Sequence, residues 1–512
     1  MTKTIITYQA ILAAGVLLVG CQGETESPTA QTAADNSTLQ SGAENPVITN
    51  AAQLQTQALA AMHAENITKI EFTASGWEGC LGQPWNITDG WARWELTDYV
   101  RVIDYSTTAS LQNAQRRAAM DPDKIGGCGA QPDAAPVPQQ SSITATSPWA
   151  NQLSLWLTPQ GFLQLAVQNN AAVVATNDGW SASFTTTQGG VAYPMTGFFD
   201  DDLLLDRIET RLDNSVYGDM LVEAEFFDYR DFNGLLFPST LVQKQGGFPV
   251  LSLDVASVTP NSTASAEAPP RAAGGPGGGG GGGGAPAAAV EAVTVVVPGI
   301  FVSNGGYQSV FVEMADSIVV IDGLQSDARS AELIQQAKAA IPGKPIGYVI
   351  STHNHFDHAN GLRLFVAEGA TIITHKINEE FFKTALANPR TLENVDPQTL
   401  PVKVLGVDDY YDLTDGTRHI ELYRLEGSLH ADDMMIAYLP EIKTVVEADV
   451  LQPWISPVFN GNNPDGHPFL VHLADELERL EIDYTQFVPI HRPASPPFMT
   501  KEDLMTSIGR TQ

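Results

Sequence analysis

The residues best able to do chemistry lie together in one short segment, the histidine loop (residues 352–358). This loop carries His353, His355, Asp357 and His358. The protein has only 10 histidines in 512 residues, so three within six positions argue against a chance grouping of solvated side chains. Imidazole nitrogen and carboxylate oxygen are ligands that zinc and similar borderline metals prefer. The spacing therefore predicts a metal-binding loop.

The segments around the histidine loop indicate how it is positioned. An apolar run at 346–350 predicts a buried strand before the loop, and residues 359–362 predict the start of a helix after it. We predict further strands at 293–297, 308–313, 317–321, 372–373 and 486–490, and helices from Ser326 to about Ile341 and from Phe469 to Leu480. This alternation of strands and helices after residue 290 predicts a layered α/β domain.

Three more potential ligands, His430, Asp449 and His491, each follow an apolar run that we predict to be a strand. Polar residues at the ends of strands in α/β sheets collect at one edge of the sheet. Nine of the 10 histidines lie between His353 and His491, so nearly all the metal-binding capacity belongs to the C-terminal part of the chain.

The order H-x-H-x-D-H, then His, Asp and His, resembles the metallo-β-lactamase superfamily, from about residue 290 to the C-terminus. The resemblance implies an αββα sandwich with a metal site at one sheet edge. It implies two groups of three ligands joined by a bridging carboxylate: His353, His355 and His430; Asp357, His358 and His491; and Asp449 as the bridge. It also implies that Asp322, at the end of an earlier strand, supports the site without binding metal.

The implied ligand set favours hydrolysis. Two zinc ions that share a water lower its pKa toward neutrality, and the bridging hydroxide attacks an electron-poor centre. Asp357 would bind metal and also orient the hydroxide, which makes it the predicted catalytic residue. The bridging Asp449 resembles the branch with glyoxalase II, lactonases and esterases, so we expect a small ester, thioester, lactone or β-lactam as substrate. With iron, the same ligands would instead support a sulfur dioxygenase-like oxidoreductase.

The N-terminal part, residues 51–258, differs in character. A helix is predicted at 52–63, strands at 69–74, 99–103, 153–157, 171–175 and 221–226, and a hairpin turn at Asn233-Gly234. The pattern predicts a mainly antiparallel β domain, so that the whole chain is an α+β protein of two domains. The layout resembles the half-barrel of bacterial lipoprotein carriers. This resemblance makes a lipid carrier with an accessory metal domain an alternative function. The other interpretation is a scaffold for the second domain.

Residues 259–289, with eight consecutive glycines, are predicted to be a flexible linker to the metallo-β-lactamase-like domain at 290–512.

The start of the chain predicts export. Residues 1–20 have the layout of a signal peptide, and Leu18-Val19-Gly20-Cys21 resembles the lipobox of bacterial lipoproteins. We therefore expect a lipid on Cys21, a disordered tether over residues 21–50, and attachment to the outer membrane facing the periplasm. In that oxidising compartment the two remaining cysteines predict a Cys80–Cys128 disulfide.

The net charge of −32 argues against nucleic acid as a partner, because binding a polyanion requires a basic surface. A small-molecule substrate is expected instead. The sequence does not indicate an oligomeric state.

Overall fold

The N-terminal domain is built on one antiparallel sheet in the computed structural model, which describes residues 48–119, 135–269, 293–394, 400–451, 468–491 and 498–510. The sheet's strands are β1 (Lys69–Cys80), β2 (Ala92–Asp104), β3 (Ala109–Ala119), β4 (Val137–Ile143), β5 (Ala172–Thr176), β6 (Gly179–Gln188), β7 (Val191–Phe199), β8 (Leu205–Asn214), β9 (Gly218–Phe232), β10 (Leu235–Gln245) and β11 (Phe248–Pro260). Their order is β4-β3-β2-β1-β11-β10-β9-β8-β7-β6-β5, so consecutive hairpins form two runs that meet where β1 pairs with β11.

Alternation along the strands gives this sheet one buried face. In β9, Val222, Ala224 and Phe226 are buried and the intervening glutamates are half-buried, as the sequence pattern predicts. Asn233 and Gly234 both have positive φ, 55° and 85°, and join β9 to β10 in the predicted tight hairpin.

Three helices cover the buried face: α1 (Ala51–Ala61), α2 (Trp149–Trp156) and α3 (Pro159–Gln168). Helix α2 corrects the prediction of a strand at 153–157. A short apolar run has no decisive periodicity, and here Trp149, Leu153 and Trp156 recur at helical spacing and pack into the domain core.

The C-terminal domain contains two mixed sheets. The first has strands β12 (Val293–Val297), β13 (Ile300–Ser303), β14 (Ser309–Glu313), β15 (Ile318–Ile321), β16 (Ile346–Ile350), β17 (Thr371–His375) and β18 (Val404–Val407), in that order. The second has β19 (Tyr410–Thr414), β20 (His419–Arg424), β21 (Met435–Leu439), β22 (Thr444–Glu447), β23 (Gln486–Pro489) and β24 (Met499–Thr500). Strands β15 to β18 pair in parallel, as do β22 and β23.

Helices cover the outer faces of these sheets. They are α4 (Asp327–Ala340), α5 (Leu362–Ala367) and α6 (Glu379–Ala385) on the first sheet, and α7 (Pro468–Arg479) and α8 (Lys501–Ser507) on the second. Ser326 caps α4 by accepting a hydrogen bond from the Arg329 amide at 3.2 Å. An apolar core that includes Val319, Ile373 and Val446 fills the space between the two sheets. The predicted αββα layering and the antiparallel N-terminal domain are both confirmed.

The two domains share an apolar core, which the predicted linker gave no reason to expect. Trp91 and Val216 of the N-terminal domain are buried in the same cluster as Phe356 and Phe382 of the C-terminal domain. The guanidinium of Arg363 is buried and donates to the carbonyl oxygens of Ser215, Val216, Ala385 and Asn388. Buried apolar area and satisfied buried polar groups at this boundary hold the domains in a fixed contact.

Some sequence predictions lie outside the described residues. These are the signal peptide, Cys21 and its tether, Cys128 and therefore the Cys80–Cys128 disulfide, and the glycine run at 277–284. Before that run, residues 261–266, which the linker prediction includes, pack on the β domain: Asn261 accepts from the Thr68 amide at 3.0 Å and Ala266 is buried. None of the described helices has both the length and the apolar character needed to cross a bilayer.

Candidate metal centre

The predicted ligands collect at the ends of four strands. The histidine loop follows β16, Asp449 follows β22, His491 follows β23, and His430 lies between β20 and β21. Asp449 has a φ of 61°, a left-handed conformation that aspartate tolerates better than most residues.

All seven predicted ligands come together in two groups that share one residue. His353, His355, His430 and Asp449 form one group, and Asp357, His358, Asp449 and His491 form the other; within each group, one donor atom from every residue lies within 4.8 Å of the rest. Six of the seven side chains are buried and Asp357 is half-buried. The shared residue is the one that the sequence resemblance predicts as the bridge.

Asp449 is in the middle of the cluster. Its Oδ2 lies 2.7 Å from His358 Nε2, 3.2 Å from His353 Nε2 and 3.6 Å from His430 Nε2, while its Oδ1 lies 2.7 Å from His491 Nε2. The Nε2 atom of His430 is buried and has no hydrogen-bond partner among the described residues. A buried imidazole nitrogen directed at other donors without a partner of its own suits a metal ion and costs free energy without one.

Hydrogen bonds on the outer sides of the imidazoles select the nitrogens that face the cluster. Asp322 Oδ1 accepts from His358 Nδ1 at 2.8 Å, so in the neutral ring Nε2 is the nitrogen that has the free lone pair. Thr352 donates its hydroxyl hydrogen to Asp322 Oδ2, so its oxygen, 3.1 Å from His353 Nδ1, acts as the acceptor for that ring. One carboxylate thus orients an imidazole in each ligand group, in the way that outer carboxylates orient metal-binding histidines.

His355 is held in the opposite sense. Its Nε2 lies 3.1 Å from the carbonyl oxygen of Pro84. A carbonyl can only accept, so Nε2 carries the hydrogen and Nδ1 has the free lone pair. His355 would therefore bind a metal through Nδ1.

Burial and neighbouring charges set the protonation of the cluster. Burial lowers the pKa of His353 to about 4, of His355 to about 3 and of His430 to about 4. These rings are neutral at pH 7 and can use their lone pairs for a metal. Burial alone would lower the pKa of His358, but Asp322, Asp449 and Asp357 together raise it well above its ordinary value.

The carboxylate between the two groups stays ionised. Burial alone would raise the pKa of Asp449, yet His491, His358 and His430 hold it well below the ordinary value. Burial alone would also lower the pKa of His491, but Asp449 raises it, so His358 and His491 would each release a proton as a metal binds. With three neutral imidazoles in the first group and ionised carboxylates in the second, the residues present fit a divalent metal ion in each group.

Three residues near the cluster were not predicted from the sequence. Tyr307, which precedes β14, donates its hydroxyl to Asp357 Oδ2 at 2.9 Å and lies against His491 with ring centroids 4.3 Å apart. Gln83 donates to Asp357 Oδ1 at 2.7 Å, and Pro84 contacts His355 as described. Neither the tyrosine nor the glutamine stands in a motif, and Gln83 lies about 270 positions from its partner, so the sequence has no local signal for these contacts.

Several other candidates have roles outside the ligand groups. Glu447, two residues before Asp449, accepts through Oε2 from the amides of Val450 at 3.2 Å and Leu451 at 3.0 Å, and so holds the turn that carries Asp449. Burial raises its pKa to about 7. His472 Nε2 lies 2.8 Å from the carbonyl oxygen of Glu426, a structural contact.

Residues 304–486 match the model of the metallo-beta-lactamase superfamily. The chain is similar to a metallo-beta-lactamase from Pontibacter korlensis (17% identity, 43% of this chain and 97% of that one, TM-score 0.32). It is also similar to the metallo-beta-lactamase FIM-1 from Pseudomonas aeruginosa (16% identity, 43% and 93%, TM-score 0.31).

A third similar structure is the rubredoxin oxygen:oxidoreductase from Desulfovibrio gigas (14% identity, 43% of this chain and 60% of that one, TM-score 0.32). No functionally curated protein matches the sequence. The match to the superfamily model covers residues 304–486, which lie within the C-terminal domain.

Proposed function

We propose that the protein is a zinc-dependent hydrolase that cleaves a small ester, thioester, lactone or β-lactam. The observation that carries the proposal is the pair of ligand groups joined through Asp449, because a shared carboxylate places two metal positions side by side. Two zinc ions bound there would lower the pKa of a shared water and so supply a nucleophile at neutral pH.

The chain's own residues would do the rest. Asp357 has one carboxylate oxygen held by Gln83 and the other by Tyr307, so its orientation toward the second ligand group is fixed from both sides. That fixed carboxylate would bind metal and accept a hydrogen bond from the attacking water. Asp322 would hold the single hydrogen of each neutral ring on Nδ1, of His358 directly and of His353 through Thr352, so that Nε2 faces the metal.

The hydroxyl groups near the cluster form structural hydrogen bonds, which favours water over a side chain as the nucleophile. Ser351 donates to the carbonyl oxygens of His353 and His358, both at 3.1 Å, and Thr352 donates to Asp322. Ser428 accepts from the His430 amide at 3.3 Å. These hydroxyls hold the ligand loops in place.

The alternative function is an iron-dependent oxidoreductase, since imidazole and carboxylate donors bind iron as well as zinc. Metal analysis of the purified chain separates the two. Zinc with hydrolysis supports the proposal, whereas iron with oxygen consumption would replace it with an oxidoreductase.

The packing of the N-terminal domain favours a scaffold over a lipid carrier. Helices α1, α2 and α3 cover the buried face of the sheet, and a cavity on that face, lined in part by Phe72, Leu157 and Phe226, has a volume of about 10 Å³. Such a cavity holds at most about one water molecule. A lipid that copurifies with the chain and is identified by mass spectrometry would favour the carrier instead.

Residues 18–21 support a further part of the proposal, namely export and attachment of the chain to the outer membrane through a lipid on Cys21, facing the periplasm. A Cys21→Ala variant is expected to move from the membrane fraction to the soluble fraction. A variant that stays with the membrane would contradict the lipid anchor.

The test of the hydrolase is a panel of simple esters, thioesters, lactones and β-lactams with the zinc-loaded chain. Asp449→Asn is expected to lower zinc retention and to reduce the rate by at least about 100-fold, since it removes the bridge between the ligand groups. Asp408→Asn is the matched control, because that aspartate is exposed on the surface and its side chain pairs only with Lys376 in the described part of the chain. An Asp449→Asn variant as active as the control would refute the proposal.

A further inference from the structure

The histidine loop packs against the N-terminal domain through Phe356. Phe356 packs edge-on against Trp91 and Tyr217, with ring centroids 5.8 Å apart in each pair, and its amide donates to the carbonyl oxygen of Gly82 at 3.0 Å. Gly82 has a φ of 80°, and a Cβ there would lie 2.3 Å from the Phe356 ring. The loop between β1 and β2 therefore approaches the histidine loop as closely as the backbone allows.

The same β1–β2 loop also contacts the second ligand-bearing segment, around His430. Trp85 donates its indole N–H to the carbonyl oxygen of Ser428 at 3.2 Å, and the Trp85 carbonyl accepts from the Asp432 amide at 2.8 Å. Asn86 donates to the Asp432 carboxylate at 2.9 Å. Residues 82–86 thus connect the two segments that carry ligands of the first group.

Within this loop, Gln83 is the residue whose side chain contacts a predicted ligand. Its amide nitrogen lies 2.7 Å from Asp357 Oδ1, and Gln83 itself is half-buried. The other oxygen, Oδ2, is the one near the second group: it lies 3.4 Å from His358 Nε2 and 3.7 Å from His491 Nε2. A donor on Oδ1 therefore fixes the rotation of the carboxylate that presents Oδ2 to that group.

We propose that Gln83, from the N-terminal domain, is a positioning residue for the metal ion held by Asp357, His358 and His491. The inference rests on the proposed two-metal function. By this inference the N-terminal domain positions a metal ligand, although none of the seven predicted ligands belongs to that domain. Its consequence is selective: loss of the Gln83 amide should weaken one metal position and leave the other unchanged, because His353, His355 and His430 do not contact Gln83 through a hydrogen bond of the described structure.

The test is a stepwise Zn²⁺ titration of the metal-free full chain in competition with a chromogenic chelator. Gln83→Met keeps the length of the side chain but lacks the amide donor, and Gln83→Ala removes both the donor and most of the side chain. Gln140→Met is the matched control, since the Gln140 amide also donates at 2.7 Å, to Asn113, and lies on the exposed edge strand β4. Thermal unfolding of each metal-free variant, and the visible spectrum of each Co²⁺-loaded variant, accompany the titration.

For both Gln83 variants we expect a loss of about 10-fold to 100-fold in affinity for one of the two ions, the range found when outer partners of metal ligands are removed. The affinity for the other ion and the unfolding temperature should match the control, and the cobalt spectrum should change for one ion only. Unchanged affinity for both ions would overturn the role of Gln83 and leave the two-metal function standing. Equal losses at both positions with a lower unfolding temperature would also overturn it, as a general structural effect. A wild-type chain that binds fewer than two ions would overturn both proposals.

Discussion

Replacement of Asp322 by asparagine removes one of two acceptor oxygens while the shape of the side chain stays the same. The carboxylate of Asp322 accepts from His358 Nδ1 at 2.8 Å through one oxygen and from the Thr352 hydroxyl through the other. An asparagine has one oxygen and one NH₂ group, so one of these two hydrogen bonds must reverse.

Each orientation of the asparagine places a proton on a nitrogen that faces the metal centre. If the NH₂ group faces His358, Nδ1 of that ring must accept and its proton moves to Nε2. If it faces Thr352, the hydroxyl must donate elsewhere, and the acceptor within reach is His353 Nδ1 at 3.1 Å, which moves the proton of that ring to Nε2. In both cases one imidazole can bind metal only after it changes tautomer against its hydrogen bond.

The expected cost is about 10-fold to 100-fold in affinity for one ion, the usual effect of losing an outer carboxylate. This corresponds to roughly 1.4–2.8 kcal/mol at 25 °C, at about 1.4 kcal/mol for each factor of ten. Competition with a chelator measures it, with Asp408→Asn as the control for an exposed aspartate. Thr352→Val serves as a second variant, since it removes the contact to His353 and leaves that to His358, and should affect only the ion of the His353 group. Full affinity for both ions in Asp322→Asn would refute the tautomer argument.

Three further outcomes are expected. Asp213→Asn should lower the free energy of unfolding by about 3 kcal/mol, because Asp213 and Arg390 form a buried ion pair between the domains. In the variant, Asp327 would be the remaining carboxylate partner of Arg390 among the described residues. Burial alone would raise the pKa of Asp213, but Arg390 holds it below the ordinary value. The stabilisation from the Asp213 carboxylate is therefore present above about pH 4 and is lost as the pH falls. In urea denaturation, the difference in free energy of unfolding between wild type and variant should narrow below that pH, and a constant difference would contradict this. Tyr307→Phe should leave the unfolding temperature unchanged and reduce affinity for the ion held by Asp357 by about tenfold, measured by the same chelator titration, whereas equal losses of both ions would argue against its contact with Asp357.

The parts of the site that the sequence predicts are those in which the chemistry is concentrated in short segments. Three imidazoles and a carboxylate within residues 352–358 indicate a metal site on their own. The apolar run before them and the capping serine of α4 predict the elements that hold them. His430, Asp449 and His491 could be located because each follows a strand, and strand ends of one sheet edge come together in space.

The parts that the sequence does not predict depend on contacts between distant segments. Gln83 and Asp357 are ordinary residues until the fold brings them within 2.7 Å, and no local pattern relates positions so far apart. The prediction of a strand at 153–157 is wrong because a run of five residues, four of them apolar, fits either period, and its packing against the sheet decides for the helix. The sequence also does not predict the core that Trp91 and Phe356 share. A glycine-rich linker indicates that two domains are joined, but it does not indicate whether they pack against each other.

The most direct test of the central claim is the metal content and the hydrolytic rate of one purified sample of the chain. We expect two zinc ions per chain, and cleavage of at least one ester, thioester, lactone or β-lactam that a chelator abolishes and zinc restores. A chain that retains no metal, or one that retains iron and consumes oxygen without hydrolysing any of these substrates, would contradict the claim.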